Sequence, residues 1–259
     1  MSTVPEPRSK EDKEYVAGLE KGLAIIEAFG LRSGPLTLSE AAEITGHPRA
    51  TARRSLLTLQ RLGYVESDGR YFRLAPRALR LGHAYVSSSP LPKLVQRVLE
   101  TISERTKESS SLAVLDGGEV VFVARAATRR SLSDGLGMGS RLPAHCAATG
   151  RVLMAALPDE EIARLLGRMP RRALTPRTRT GIPELTAVLE ETRRLGYATS
   201  DEELELGLRS IAVPIHDQAG RTVAAMSLVA GTGRYTLDRM VEVLLPELLG
   251  GRRMLSAML

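Results

Sequence analysis

The stretch Thr37–Leu74, TLSEAAEITGHPRATARRSLLTLQRLGYVESDGRYFRL, decides the fold of the first part of the chain. It opens on Thr37-Leu38-Ser39-Glu40, the spacing of a capping box: the Thr37 hydroxyl serves the Glu40 N–H and the Glu40 carboxylate reaches back. The helix so started is brief, to about Thr45, and Gly46 supplies the left-handed residue of a tight turn. Pro48 suits the first turn of a second helix, which runs to about Leu62. Tyr64–Ser67 and Arg70–Leu74 then flank Asp68-Gly69, the strongest short-range hairpin signal. Upstream, Leu19, Leu23 and Ile26 recur at helical spacing between Tyr15 and Phe29. Helix, short helix, turn, helix and hairpin is the order of a winged helix-turn-helix. A small Ala42 lets the two central helices approach, and Ala52, Leu56 and Leu59 share the face turned to the scaffold.

That leaves Arg49, Ala50, Thr51, Arg53, Arg54 and Arg61 on the other side of the second helix, where a recognition helix meets base edges in the major groove. Arginine there can bond guanine bidentately, and Thr51 and Thr58 suit phosphate or a thymine methyl. Arg70 and Arg73 lie on the wing, placed for phosphate or the minor groove. The charge pattern agrees. Between His47 and Gly82 stand eight arginines and two acids, a surplus of six that equals the net charge of the whole chain. The bland alternative is a solvated basic face. With no Trp, six Tyr and three Phe, the chain has no platform for stacking single-stranded bases.

The remaining length allows a second domain, since the chain has 259 residues and domains run to roughly 100–200. Hydrophobic residues at 43% and charged residues at 25% describe a globular protein. No uncharged apolar run nears the roughly 18 residues of a membrane span, and Met1–Glu14 lacks the apolar core of a signal peptide. We expect a cytoplasmic protein without a membrane partner. Expected boundaries are a tail at 1–14, the winged helix-turn-helix at 15–76, a linker helix at 77–90 and a second domain at 91–259. In that domain a helix follows Pro92. Hairpins are expected about Asp116–Glu119 and Asp217–Gly220, helices over Cys146–Leu157, Asp159–Leu166 and Pro183–Leu195, and a glycine-rich loop at Gly135–Gly139. The last helix starts at Leu237, and Pro246 and Gly250-Gly251 are expected to kink or divide it. Helices mixed with antiparallel hairpins imply an α+β class.

Thr37–Ala42 through Leu62–Val65, with Arg141-Leu142-Pro143-Ala144, Gly150–Met154 and Gly207–Pro214, resembles the IclR family of bacterial transcriptional regulators. Within it, the chain is most similar to the branch controlling protocatechuate, 4-hydroxybenzoate and β-ketoadipate catabolism. The resemblance covers Tyr15 to the C-terminus. It implies a GAF-like effector-binding domain with an antiparallel sheet, a small carboxylate effector, a double-stranded DNA operator, and a homodimer or dimer of dimers. It places the ligand among the loop and helix start near 135–149, the segment 200–210 and the strand near Ser227. The expected effector residues are Leu136, Met138, Arg141, Ala148, Thr149, Ser200, Leu208, Arg209, Ser210, Met226 and Ser227. Residue chemistry adds to this. Ser227 interrupts an apolar strand and its hydroxyl needs a partner, while the helix start at Ala147–Thr149 offers N–H groups to a carboxylate. Arg141 and Arg209 could clamp that carboxylate, or Arg209 could brace Glu202, Glu203 or Glu205. Leu136, Met138, Leu208 and Met226 would form apolar walls.

Other chemistries find little here. One cysteine, Cys146, and histidines at 47, 83, 145 and 216 give no zinc-ligand spacing, so no metal or cofactor is expected. There is no Gly-x-Ser-x-Gly elbow. The glycines at 135, 137 and 139 do not match a dinucleotide fingerprint. The protein is not expected to be an enzyme.

Overall fold

The Thr37 hydroxyl and Glu40 close the expected capping box. Glu40 N donates to Thr37 Oγ1 at 3.3 Å, and Thr37 N donates to Glu40 Oε2 at 2.8 Å. These bonds come from a computed structural model describing residues 15–32, 34–88, 90–128 and 136–256. The expected tail at 1–14 and Gly135 of the glycine-rich loop lie outside the described residues. The fold divides between Ser87 and Ser88 into two units.

The N-terminal unit contains α1 (Ala17–Ala28), β1 (Leu36–Thr37), α2 (Leu38–Thr45), α3 (Arg49–Arg61), β2 (Val65–Ser67), β3 (Tyr71–Leu74) and all but the last residue of α4 (Leu79–Ser88). Gly46 at φ 67° ends α2 in the left-handed region, the conformation that costs glycine least. The wing hairpin is tied by Asp68, whose Oδ1 accepts from Arg70 N and Tyr71 N at 3.0 and 2.8 Å. Those two N–H groups also hold the Asp68 carboxyl below its usual pKa. The strand β1, too short to show a period, completes a sheet of order β1-β3-β2. The core joins Ile25 and Ala28 to Ala52, Leu56, Leu59 and Phe72. The inner face of α1 therefore differs from expectation. Leu19 and Leu23 are 63% and 47% exposed, because Ile25 and Ala28, on the other side of the helix, fill the space against α2 and α3.

The C-terminal unit contains α5 (Pro90–Thr106), β4 (Ser109–Asp116), β5 (Glu119–Ala126), β6 (Arg141–Pro143), α6 (Ala148–Ala155), α7 (Asp159–Arg168), α8 (Ile182–Leu195), β7 (Ala198–Asp201), β8 (Leu208–His216), β9 (Thr222–Gly231) and α9 (Leu237–Ser256). Its six strands form one antiparallel sheet of order β6-β5-β4-β9-β8-β7. Alternate side chains feed two cores. Leu112, Ile211, Val213, Met226 and Leu228 meet α5 and α9, while Ala113, Phe122, Ala198, Ala212 and Ala225 meet α6. The class is α+β. Helix α9 runs undivided through Pro246 and Gly250-Gly251. At Gly251 a Cβ would stand 2.6 Å from Ile102 Cδ1 and 3.0 Å from Met226 Cε, so its glycine serves close packing against α5 rather than a break.

Candidate functional site

Helix α3 buries Ala52, Leu56 and Leu59 and exposes Arg49, Ala50, Arg53, Arg54, Thr58 and Arg61. Thr51 is half-buried. Among the described residues no carboxylate pairs with Arg49, Arg53, Arg54 or Arg61, which leaves four guanidinium groups on one surface without an internal counter-ion. Thr58 donates its hydroxyl to Arg54 O at 2.8 Å, so only its oxygen lone pair and methyl remain for a partner. On the wing, Arg70 lies over the Tyr71 ring at 5.2 Å, and Arg73 stands 3.8 Å from Asp68. The surface is what a polyanion in a groove requires: fixed cations on a rigid helix, flanked by a cationic hairpin.

In the C-terminal unit the strand registers define a second surface, because directly opposed residues of antiparallel strands share a face. One row runs Arg125, Ser111, Ser227, Ala212 and Ala198 across β5, β4, β9, β8 and β7. The next row runs Ser109, Val229, Ser210 and Ser200. Both face α6: Ala198 and Ala212 pack in its core, and Ser200 Oγ donates to Cys146 O, just before α6, at 2.7 Å. Ser111, Thr149, Ser210 and Ser227 are buried residues whose hydroxyls find no hydrogen-bond partner among the described residues, yet none of the four oxygens is fully enclosed. Hydroxyls left open inside a fold are normally met by water or a ligand, so this group is equipped for a polar guest. No side chain caps α6, which leaves its first N–H groups available to the same guest. Ala148 is buried at that helix start. Leu136 packs into the α6-side core, and Leu208 shares the face of Ser210.

Four expected residues are not brought to this face. Arg141 sits on the edge strand β6 with Nη2 2.7 Å from Asp116 and Nε 2.7 Å from Glu119. Arg209 neighbours Ser210 in sequence and therefore points to the opposite side. Its partners are Asp201 at 2.6 Å and Tyr235 O at 2.6 Å, not Glu202, Glu203 or Glu205. Met226 neighbours Ser227 and is buried under α5 and α9 for the same reason. Met138 is 61% exposed and forms no wall.

Two features escaped the sequence reading. Arg151 and Glu203 form an ion pair at 2.6 Å, with side chains 1% and 3% exposed. Arg151 also donates to Thr199 O and His145 O at 2.8 and 3.2 Å, so it ties α6 to β7 and to the segment before the helix. The second is Arg125, half-buried in the serine row. Beside Ser227, the sequence signal for that row was the run Ser109-Ser110-Ser111 at the head of an apolar strand. His145 is fully buried, with Nε2 3.2 Å from Arg172 O and no partner at Nδ1. Burial holds its pKa below the usual value, and pushes the Cys146 thiol up to about 12, far from a reactive thiolate. Among the described residues no His, Cys, Asp and Glu cluster could hold a metal ion, and no helix is long and apolar enough to cross a membrane.

Comparison with known proteins matches the two units in turn. The IclR helix-turn-helix domain matches residues 18–69, and the C-terminal domain of the bacterial transcriptional regulator IclR matches residues 83–255. The chain belongs to the IclR family. It is a DNA-binding transcriptional regulator, not an enzyme. It is 42% identical over 243 residues to the Pca regulon regulatory protein of Pseudomonas putida, covering 93% of this chain and 84% of that one. It is 39% identical over 250 residues to the p-hydroxybenzoate hydroxylase transcriptional activator of Acinetobacter baylyi, covering 93% and 92%. Among solved structures, an IclR homologue from Microbacterium hydrocarbonoxydans complexed with 4-hydroxybenzoate aligns with a TM-score of 0.76 at 26% identity, covering 93% and 100%.

Proposed function

We propose that this IclR regulator controls genes of aromatic-acid breakdown and that a small aromatic carboxylate is its effector. The ligand lies between the serine-bearing sheet face and the start of α6, against Ser111, Thr149, Ser210 and Ser227. Supporting the ligand class are the names of the relatives and the 4-hydroxybenzoate bound to a family member. The observation that carries the location is the three hydroxyls of the sheet face, Ser111, Ser210 and Ser227, and that of Thr149 at the uncapped helix start, all without partners among the described residues. Arg49, Arg53 and Arg54 read base edges, Ala50, Thr51 and Thr58 line the same groove, and Arg70 and Arg73 hold phosphate. Residues 15–76 form the DNA-binding domain, 77–90 the linker and 91–259 the effector domain of a cytoplasmic homodimer on a palindromic site. Regulation is linkage. The effector shifts operator affinity by the ratio of its affinities for the two states, and DNA shifts effector affinity by the same factor.

The test is calorimetry of wild type and Ser227→Leu with protocatechuate, 4-hydroxybenzoate and β-ketoadipate. We expect wild type to bind protocatechuate or 4-hydroxybenzoate, with β-ketoadipate as the non-aromatic comparison. Ser227→Leu should lose binding by about 100-fold or more, since it fills the space and removes a hydroxyl, at roughly 1–3 kcal/mol for each effect. Its DNA affinity without ligand should stay unchanged. Silence of wild type toward both aromatic acids contradicts the ligand class; a mutant that binds like wild type contradicts the location.

A further inference from the structure

The register of β5 against β4 slips by one residue between Leu112 and Ala113: Ala113 opposes Phe122, but Leu112 opposes Ala124. The extra residue is a β-bulge, and it reverses which side the rest of β5 presents. Phe122 packs on the α6 side, whereas Val123 and Ala124 both pack on the α5 and α9 side. Strict alternation from Phe122 would have sent Arg125 to the α5 and α9 side. The bulge turns it instead to the α6 side, directly opposite Ser111 and in one row with Ser227. Bulges beside functional sites commonly re-aim one side chain in this way.

We propose that Arg125 is the residue that holds the effector's carboxylate, an inference that rests on the effector site described above. Three other arginines lie nearby, and each is directed elsewhere. Arg141 is held by Asp116 and Glu119 at the sheet edge. Arg209 lies on the opposite face against Asp201. Arg151 lies inside the fold between α6 and β7, bonded to Glu203 and two carbonyls. The register places Arg125 on the face that carries the open hydroxyls, and so brings a cation to it. Its surroundings favour carboxylate binding. Burial lowers the pKa of the guanidinium, which means that water has been partly withdrawn from the charge, while an arginine stays protonated at any physiological pH. A partly desolvated guanidinium attracts a carboxylate more strongly than a solvated one and can bond both of its oxygens. The Ser111 hydroxyl, across the strand pair, is placed to donate to the same group. The chemistry selected is an anionic planar head on an uncharged apolar body, so an acid is distinguished from its amide.

The experiment measures, by calorimetry on the full chain, the affinity of whichever hydroxybenzoate binds wild type more tightly, 4-hydroxybenzoate or 3,4-dihydroxybenzoate, and of its neutral amide. Wild type should prefer the acid. Arg125→Gln should weaken acid binding by about 10- to 100-fold, the loss expected for hydrogen bonds to a charged group, and leave amide binding within about twofold. Circular dichroism and operator affinity without ligand check its folding. Arg125→Lys keeps the charge and loses the two-pronged geometry. It should retain a preference for the acid with affinity reduced by about tenfold, and it decides the matter should the Gln variant fold poorly. An acid affinity unchanged in either variant, or an equal loss of acid and amide, overturns the placement. Wild type that binds neither acid overturns the effector reading itself, and this placement with it.

Discussion

Arg49, Arg53, Arg54 and Arg61 stand along α3 with no carboxylate of the described residues paired to them, whereas Arg141, Arg151, Arg177, Arg193, Arg209 and Arg234 of the C-terminal unit each hold at least one. The residue type is the same and the surroundings differ. At these six positions arginine is a brace, its charge met by an acid of the same unit. On α3 the charge is left over. The chain holds 30 acidic residues, so the shortage is local: between His47 and Gly82 only Glu66 and Asp68 are available. A surplus concentrated on one rigid helix is a binding surface for a polyanion, and its counterparts are phosphates and base edges outside the chain.

The largest effect is expected where the brace is buried. Arg151→Met strands Glu203 as an uncompensated charge 3% exposed, and should lower stability by about 3–5 kcal/mol in urea unfolding. Arg141→Ala removes two ion pairs nearly as short as that one, but in solvent, and should change stability by about 0–1 kcal/mol. Equal losses would break the distinction between buried and exposed braces. A smaller effect is expected at the wing. Arg70→Ala should weaken operator binding nearly evenly across sequences and reduce the slope of log affinity against log salt by about 0.9. An unchanged slope in a salt titration would show that Arg70 meets no phosphate.

The N-terminal unit was legible in the sequence because its decisive signals are local. Thr37 with Glu40, Gly46, and Asp68-Gly69 each act over four residues or fewer, and their hydrogen bonds stand in the expected places. The exposed set on α3 follows from one helical period. The outline of the C-terminal unit was legible too, since both hairpins and the helices from α5 to α9 lie where turn residues and periodicity put them. Its site was legible only in part. Ser227 was read as a polar break in an apolar strand and Ser210 came from the family resemblance, but Met226 and Arg209, their immediate neighbours, necessarily face the other way. Strand alternation alone excludes both from the serine face. Arg125 could not be placed by alternation at all, because the bulge that turns it depends on the partner strand. Arg151 and Glu203, 52 residues apart, meet only in the folded chain.

The most direct test of the contrast between braced and unpaired arginines is fluorescence anisotropy on a duplex that wild type selects from a random library, with a scrambled duplex as reference. Arg53→Ala and Arg54→Ala are titrated singly, beside Arg141→Ala as the braced control. At least one α3 variant should lose about 1–3 kcal/mol of discrimination between the two duplexes, while the control keeps wild-type affinity for both. Wild-type discrimination in both α3 variants would contradict the assignment of α3 as the helix that reads DNA.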